Sequence, residues 1–254
     1  MNKILILGSN SFSGASMKNY LLKKNFLVYG TYNQKKPEIY LNFNNKKKNN
    51  LKMLKINFLK KNDILKLIKI IKKEKPIYIL DFASLCMVNE SWTFPQRYFD
   101  INVLSKIHIL NEIKNLNFIK KYIYISTPEI FGSKNYKINE KNKYFNPSTP
   151  YATSKLSCEL YINNLIKNFK FNGIIARFSN FYGPGQPYYR LIPKIILSIL
   201  KKKKFPIHGD GKSKRNYIFS EDFCNGIYKI IKKGKEGKTY HFSGNKLYSV
   251  IDII

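Results

Sequence analysis

The segment that decides the fold is "KILILGSNSFSGASMKNYLLKKNFLVYGTY", residues 3–32. It begins with a continuous apolar run that ends in glycine, which is typical of a parallel strand covered on both faces. Met17, Tyr20 and Leu21 then recur at helical spacing, and "FLVYGTY" predicts a second strand. A strand, a glycine turn, a helix and a second strand in this order predict the start of a parallel α/β sheet.

The alternation of strands and helices continues along the chain. Four further apolar strands are predicted at residues 51–57, 76–84, 121–126 and 173–178. A helix is predicted after the third strand, with Asn62 or Asp63 as its cap, and others over residues 96–115 and 151–168. We therefore predict an α/β fold, a doubly wound parallel sheet.

The composition of the sequence changes at residue 180, where turn-forming residues become frequent. We predict two units, residues 1–179 forming the sheet and residues 180–254 forming a smaller mixed α/β lobe. The chain is expected to return in part from the second unit to the first.

The net charge of +31 invites a nucleic-acid interpretation. Only four of the 46 basic residues are arginine, however, and the lysines are spread along the whole chain. Lys, Asn, Ile and Tyr are all abundant and share A/T-rich codons, so a bias in base composition explains them together. A nucleic-acid interface would cluster its arginines, so we do not expect a nucleic-acid partner.

Apolar runs and cysteines limit the class of protein further. No apolar run reaches the roughly 18–20 residues that a membrane span requires. The N-terminus enters a strand directly and shows no signal peptide, so we expect a cytoplasmic protein without a membrane partner. Cys86, Cys158 and Cys224 have no metal-ligand spacing and are expected to be buried free thiols, with no metal site.

The first turn, "ILGSNSFSG", places Gly8 and Gly14 between a strand and a helix, with Ser11 between them. Glycine lets the backbone approach a pyrophosphate, and the helix N-terminus stabilises its negative charge. Ser11 either narrows the turn slightly or directs its hydroxyl toward a phosphate. Strand–glycine–helix turns also occur without a ligand, so this turn alone does not identify a dinucleotide site.

The end of the second strand bears on the choice between NAD and NADP. An acid at that position usually binds a ribose 2′-hydroxyl and favours NAD. This chain has no acid there, and Asn33, Gln34, Lys35 and Lys36 could instead meet a 2′-phosphate. Either cofactor remains open, with a slight preference for NADP.

The stretch "PSTPYATSK", residues 147–155, contains a tyrosine–lysine pair at the start of a helix. Thr149 can cap the helix and Pro150 suits its first position. Tyr151 and Lys155 are one turn apart and share a face, so the ammonium is expected to lower the tyrosine pKa and permit proton transfer near neutrality. An exposed pair on a lysine-rich helix would have the same sequence.

Six motifs occur in one order and together carry a family resemblance. After the glycine turn come "DFASLCMVNESWTFPQRYFDINV" (81–103), "STPEIFG" (126–132), YxxxK, "RFSNFYGPGQ" (177–186) and "GDGKSKRNYIFSEDFCNGI" (209–227). The chain resembles the extended short-chain dehydrogenases/reductases, specifically the NAD-dependent epimerases and dehydratases of nucleotide sugars, from residue 3 to about residue 250. The resemblance implies a Rossmann NAD(P)-binding domain over 1–179, a sugar-nucleotide lobe over 180–254 and a homodimer.

The resemblance also assigns roles to residues. Thr127 would hydrogen-bond the 4-hydroxyl of the sugar, Tyr151 would take its proton, and Lys155 would tune Tyr151 and hold the nicotinamide ribose. Besides Tyr151 and Lys155, the residues expected to contact or support the cofactor are Gly8, Asn10, Ser11, Phe12, Gly14, Asn57, Phe82, Ala83, Ser84 and Asn102. The residues expected to bind the sugar nucleotide are Asn180, Arg190, His208 and Arg215.

Glu129 is the residue that distinguishes the reactions of this family. A simple 4-epimerase needs no carboxylate there, whereas a dehydratase needs a base for the C5 proton. The dTDP-glucose dehydratases use an Asp-Glu pair, but Pro128 occupies the Asp position here, as would suit the GDP-mannose type. We predict a nucleotide-sugar 4,6-dehydratase that oxidises C4 transiently and eliminates water across C5–C6. A 4-epimerase or a UDP-glucuronate-type decarboxylase is the alternative, followed by a non-catalytic basic binding protein.

Overall fold

A computed structural model of the protein describes residues 1–33, 49–134, 136–207 and 209–254. Gln34, Lys35, Lys36 and His208 lie outside the described residues, so the predictions made for them stay predictions. The elements are, in chain order, β1 (Lys3–Leu7), α1 (Phe12–Lys23), β2 (Leu27–Tyr32), β3 (Leu51–Lys55), α2 (Lys61–Glu74), β4 (Tyr78–Asp81), α3 (Val88–Thr93), α4 (Pro95–Phe99), α5 (Ser105–Ile113), β5 (Lys121–Ser126), α6 (Pro150–Phe169), β6 (Gly173–Phe178), β7 (Asn180–Tyr182), α7 (Leu191–Leu200), β8 (Arg215–Phe219), α8 (Ser220–Lys233), β9 (Thr239–Phe242), β10 (Leu247–Tyr248) and α9 (Val250–Ile253).

The main sheet has seven parallel strands in the order β3-β2-β1-β4-β5-β6-β9. Helices cover both faces, which explains the continuous apolar runs of the central strands. One core contains Ile64 of α2, Ile109 of α5 and Ile162 of α6. The core on the other face contains Met17 of α1 and Ile227 of α8. The predicted doubly wound sheet is confirmed.

The strand order reverses between β1 and β4. From β1 the chain proceeds outward through β2 to β3, and it then returns to β4 and proceeds through β5 to β6 on the other side. The connections on the two sides therefore leave a crevice at the carboxyl ends of β1 and β4, where open α/β sheets bind their ligands.

A second, three-stranded sheet has the order β10-β8-β7. Asn180 on β7 is in register with Tyr217 on the parallel strand β8, and β10 pairs with β8 in the antiparallel sense. The chain then returns to the main sheet, because α8 packs on the same face as α1 and β9 pairs with β6. The division into units at residues 179 and 180 stays a prediction.

The ends of two helices test the predicted caps. Thr149 caps α6, since its Oγ1 accepts the N–H of Ala152 at 3.1 Å, and Pro150 is the first helical residue, as predicted. The caps predicted for α2 are wrong. That helix follows Lys60 without a side-chain cap, and the Asp63 carboxylate accepts the backbone N–H of Asn57 at 2.7 Å.

Three other expectations can be compared with the structure. The helix predicted over 96–115 contains a π-helical turn at Asp100–Leu104, between α4 and α5. Cys158 and Cys224 are buried, but Cys86 is exposed, which contradicts the expectation for that thiol. Within the described ranges, no helix combines the length and apolar character needed to cross a bilayer.

Arg177 of β6 and Glu159 of α6 form a buried ion pair, and its loss is expected to destabilise the fold. The Arg177 Nε lies 3.0 Å from Glu159 Oε1, and Arg177 Nη2 also donates to Glu159 Oε2. Glu159→Gln leaves the guanidinium without a countercharge away from water, so we expect the free energy of unfolding to fall by about 3–5 kcal/mol in urea titrations.

Glu112→Gln is the matched control, because the Lys72–Glu112 pair is about half exposed. Breaking an exposed pair is expected to change the free energy of unfolding by less than about 1 kcal/mol. Equal losses in the two variants would contradict the role given to the buried pair.

Candidate active site

The predicted site residues converge at the carboxyl edge of the main sheet. Gly8 follows β1, Phe82 follows β4 and Thr127 follows β5, while Tyr151 and Lys155 lie in the first turns of α6. Carboxyl ends of adjacent parallel strands meet at one edge, so residues far apart in sequence line the same crevice.

The glycine turn packs directly on the backbone that follows β4. Gly8 has φ +76°, and a Cβ added to it would lie 2.8 Å from Ala83 Cα. A Cβ on Gly14 would lie 2.2 Å from the Gly8 carbonyl oxygen. Both positions therefore require glycine. The turn leads directly into the N-terminus of α1, and a helix N-terminus favours an anion.

Ser11 and Thr31 hold the turn in place. The Ser11 hydroxyl donates to Gly8 O at 2.9 Å and accepts from Gly14 N at 3.1 Å, so it caps α1 and its proton is directed at the protein. Thr31 of β2 accepts the Gly8 N–H through Oγ1 at 2.9 Å, and its carbonyl accepts the Ser9 N–H at 2.9 Å. Thr31 was not predicted as a support of this turn, because its sequence context is that of any other strand threonine.

Asn57, predicted as a cofactor contact after β3, is engaged within its own loop. Its Oδ1 accepts the N–H of Leu59 at 3.0 Å, and its backbone N–H donates to Asp63. The side chain therefore stabilises the connection from β3 to α2. Asn10 lies in the glycine turn itself, and Phe12 is the first residue of α1, where its ring stacks on Phe181 of β7 at a centroid distance of 4.3 Å.

Asn102 links the loop after β4 to α6. Its Oδ1 accepts the N–H of Leu85 at 2.9 Å, and its Nδ2 donates to Leu85 O at 3.1 Å and to Ser154 Oγ at 3.0 Å. Ser154 in turn donates to Tyr151 O at 2.7 Å. Buried Asn102 thus supports the crevice wall that begins with Phe82–Ser84.

Tyr151 is buried, with its ring against Tyr98 at a centroid distance of 6.4 Å. Burial raises the pKa of Tyr151, and Cys86 and Glu129 raise it further, while Thr127 and Arg190 act in the opposite direction. The predicted lowering of the Tyr151 pKa is therefore wrong for this structure, because desolvation of the phenolate dominates. Tyr98 was also missed, since no local pattern separates it from a core tyrosine.

Lys155 is buried beneath the same surface. Its Nζ donates to the carbonyl of Ile125 at 2.7 Å and lies 4.1 Å from the ring centroid of Tyr124. Burial lowers the pKa of Lys155 to about 8. The ammonium is thus anchored to the last residues of β5, and Lys155 lies one helical turn from Tyr151.

Glu129 lies in a short 3₁₀ turn, Pro128–Phe131, after β5, and Thr127 is the cap residue that precedes this turn. Thr127 Oγ1 accepts the N–H of Glu129 at 3.2 Å, so its hydroxyl proton can be donated on the other side, where hydrogen bonding by Thr127 lowers the pKa of Tyr151. The Glu129 side chain is exposed to solvent, but many protein atoms surround its carboxyl. The resulting partial desolvation raises the pKa of the carboxyl, and Arg215 and Arg190 act in the opposite direction. A carboxyl with a raised pKa can exchange a proton closer to neutrality.

The predicted substrate residues approach from the second unit. Arg190 precedes α7, and its Nη2 lies 3.5 Å from the thiol of Cys86. Arg215, the first residue of β8, is exposed and donates to Ser213 Oγ at 2.6 Å. Asn180 is exposed at the start of β7. Arg190 and Arg215 both influence the Glu129 carboxyl, so the structure brings these three predicted residues together.

A separate cavity of about 550 Å³ lies within the second unit, lined by residues that include Tyr182, Ile192, Tyr217 and Tyr248. Neither Tyr151 nor any other predicted catalytic residue lines it. We therefore place the chemistry in the crevice at the sheet edge, where the titratable groups converge.

Several proteins of known name are similar to this chain in sequence. The dTDP-D-glucose 4,6-dehydratase of Dictyostelium discoideum is 33% identical over 268 residues, covering 100% of this chain and 61% of that protein. The protein of the same name from Homo sapiens is 32% identical over 180 residues, covering 71% of this chain and 51% of that protein. The chain thus spans about half to three fifths of the length of these relatives.

Solved structures share the fold. The crystal structure of dTDP-glucose 4,6-dehydratase from Bacillus anthracis in complex with NAD has a TM-score of 0.88 and 25% identity, covering 99% of this chain and 78% of that chain. UDP-glucuronic acid 4-epimerase from Bacillus cereus, in complex with UDP-glucuronic acid and NAD, has a TM-score of 0.88 and 25% identity, covering 98% of this chain and 80% of that chain. The model of the NAD dependent epimerase/dehydratase family matches residues 4–243, and the chain belongs to that family.

Proposed function

We propose that this chain eliminates water from a nucleotide-diphosphate hexose, as a 4,6-dehydratase. The observation that carries the proposal is the Glu129 carboxyl, whose pKa is raised, in one crevice with Thr127 and Tyr151. The names of the similar proteins from Dictyostelium discoideum and Homo sapiens support the same reaction. They also make dTDP-glucose the first substrate to test, although Pro128 occupies the position where the dTDP-glucose type carries an aspartate.

The residues present fit a nicotinamide dinucleotide. The turn at Gly8 and Gly14 has no room for side chains, so backbone would meet the pyrophosphate. Ser126 Oγ, at the end of β5, is buried and has no hydrogen-bond partner among the described residues. Buried polar atoms are rarely unsatisfied, so a ligand in the crevice is a natural partner for it. NAD in the Bacillus anthracis structure favours NAD over NADP.

The remaining cofactor assignments follow the fold. Besides the turn residues Gly8, Asn10, Ser11, Phe12 and Gly14, we propose that Phe82–Ser84 line the crevice and that Asn102 supports it. Lys155 would hold the nicotinamide ribose. When bound, the nicotinamide would supply the transient oxidation at C4 and the later reduction of the dehydrated sugar.

The chain's own residues account for the proton at the 4-hydroxyl. Thr127 donates its free hydroxyl proton in a hydrogen bond to the oxygen, and Tyr151 accepts the proton of that oxygen. Because burial raises the pKa of Tyr151, nearby cations are needed to stabilise the phenolate. Arg190 acts in that direction already, and Lys155 lies one helical turn away.

Glu129 performs the elimination in this proposal. A C4 ketone acidifies the C5 proton, which Glu129 removes, and the same carboxyl then protonates the C6 hydroxyl as it leaves as water. Pro128 carries no proton to donate, so one group serves as base and then as acid. A raised pKa suits a group that must both accept and release a proton.

A 4-epimerase is the second candidate, because the Bacillus cereus UDP-glucuronic acid 4-epimerase shares the fold at 25% identity. An epimerase or a decarboxylase would use Tyr151 and Lys155 in the same way but would not require Glu129. A product that keeps its C6 oxygen would indicate an epimerase, and release of CO₂ from UDP-glucuronate would indicate a decarboxylase.

We also propose a homodimer, which is supported by two exposed apolar residues, Leu104 before α5 and Leu160 on α6.

Glu129→Gln tests the assigned reaction. The amide keeps the shape of the side chain but cannot accept the C5 proton, so we expect the rate of 4-keto-6-deoxy product formation to fall about 10²–10⁴-fold. The product is measured by its ultraviolet absorbance in base, and cofactor binding by fluorescence titration is expected to stay unchanged. Glu112→Gln, at an exposed pair, is the control. Elimination at the parent rate in the Glu129 variant would refute the assignment.

The pH dependence of elimination follows from the same group. Glu129 must be deprotonated to act as a base, so the rate is expected to rise with pH through its pKa. Desolvation raises that pKa above the ordinary 4.5, so the midpoint of the rise lies above 4.5. The rate profile at saturating substrate measures it, and the residual rate of the Glu129→Gln variant should lack the rise. A rise that persists in that variant would assign it to another group.

Gly14→Ala tests the cofactor turn. Its methyl group would lie 2.2 Å from the Gly8 carbonyl oxygen, so the turn must open and we expect NAD affinity to fall at least about tenfold. Gly173→Ala is the control at the amino end of β6, where a Cβ would meet only the side chains of Ile162 and Ile166 at 3.0–3.1 Å. Equal NAD affinities in the parent and the Gly14 variant would contradict the proposed site.

A further inference from the structure

An ion pair between Asp81 and Lys106 is fully buried at the carboxyl end of β4. Asp81 is the last residue of β4 and Lys106 belongs to α5, and neither side chain has any exposed surface. Their charged atoms, Oδ1 and Nζ, are 2.9 Å apart. Such a pair loses more hydration than an apolar pair of the same volume, so stability alone is a weak explanation for it.

The Asp81 carboxylate has two further partners. Its Oδ1 also accepts the backbone N–H of Ala83 at 3.0 Å, and its Oδ2 accepts the hydroxyl of Tyr122 at 2.6 Å. Lys106 and Tyr122 thus fix the carboxylate, and the carboxylate fixes the peptide group at Ala83. A carboxylate held from three sides is a rigid reference point for the backbone that follows.

Ala83 is the residue on which the glycine turn rests. A Cβ on Gly8 would lie 2.8 Å from Ala83 Cα and 2.9 Å from Ala83 N, the same nitrogen whose proton Asp81 accepts. A displacement of Ala83 by a few tenths of an ångström would therefore move the turn. Asn102 holds the same loop two residues further along, at Leu85.

The pair also faces Lys155. The groups that act on or contact the Lys155 ammonium are Asp81 from β4, Lys106 from α5, Cys158 and Glu159 from α6, and the Tyr124 ring and Ile125 carbonyl from β5. Asp81 raises the pKa of Lys155 and Lys106 lowers it, so the two members of the pair act in opposite directions on the same group.

We propose that Asp81, fixed by Lys106 and Tyr122, is a positioning residue for this site. It holds the backbone on which the glycine turn packs and, with Lys106, sets the charge beneath Lys155. This inference rests on the proposed function only in that Lys155 contacts a nicotinamide dinucleotide. It assigns a task to a buried pair that no step of the proposed reaction uses.

The test measures NAD affinity rather than product. In the double variant Asp81→Leu/Lys106→Met, made in a Tyr122→Phe background so that no buried hydroxyl loses its acceptor, apolar side chains replace the pair, a change that is often neutral for folding. The acceptor for the Ala83 N–H is lost, so we expect NAD to bind about tenfold more weakly. Glu74→Gln is the control, because it breaks the partly exposed Lys3–Glu74 pair at the opposite end of β1 and should leave affinity unchanged.

Single variants test the charge. NAD affinity should fall as Lys155 loses its proton, with a midpoint near pH 8 in the parent, as the Lys155 pKa of about 8 indicates. Asp81→Asn should shift this midpoint to lower pH and Lys106→Met to higher pH, a pair of opposite shifts that a purely structural role would not give. If Lys106→Met does not fold, the direction of the midpoint shift in Asp81→Asn alone tests the effect of the pair on Lys155.

The inference would be overturned if the folded double variant bound NAD with the affinity of the parent, or if the pH midpoints of NAD affinity did not move in the single variants. Neither outcome bears on the dehydratase proposal, which stands or falls on product formation and on Glu129→Gln. A protein that binds NAD with the expected shifts yet forms no product would instead support the positioning role and refute the proposed reaction.

Discussion

The contact between Gly8 and the backbone of Ala83 determines the shape of the crevice. No side chain can stand between the carboxyl ends of β1 and β4, because a Cβ on Gly8 would lie 2.8 Å from Ala83 Cα. Thr31 holds the Gly8 N–H from one side, and Asp81 holds the Ala83 N–H from the other. Both walls are thus fixed by interactions internal to the protein, an arrangement that lowers the ordering cost of binding a ligand there.

The charges of the crevice differ in kind from those of the surface. Most of the +31 charge is lysine spread along the chain, but two of the four arginines, Arg190 and Arg215, influence Glu129. Arginine keeps its charge at any pH of interest and binds diphosphates in a fixed geometry. Glu129 therefore experiences opposing effects, since desolvation favours its neutral form and the two guanidinium groups favour its charged form. A bound diphosphate would neutralise the arginines and raise its pKa further.

Features that depend on local sequence could be predicted, and those that depend on distant partners could not. The alternation of strands and helices in a doubly wound sheet, the glycine turn and the Thr149 cap follow from patterns within about twenty residues. The α2 cap failed because Asp63 has a partner at Asn57. The prediction for the Tyr151 pKa was wrong because burial, which no short pattern encodes, is the largest influence on that pKa and raises it. Asp81, Lys106 and Tyr122 resemble ordinary strand and helix residues until the fold brings them together.

Pro128 and Glu129 show why similarity over the whole chain and identity at one position answer different questions. An identity of 33% to a dTDP-D-glucose 4,6-dehydratase is an average over the whole chain and does not describe any single position. In the proposed dehydration, the route of the proton depends on one short turn, where Thr127 accepts the N–H of Glu129 and proline precedes Glu129. With a single carboxyl in that turn, removal of the C5 proton and departure of the C6 hydroxyl would use the Glu129 carboxyl in succession. That requirement favours a carboxyl that is desolvated enough to hold a proton and exposed enough to reach both carbons, which is the environment of Glu129.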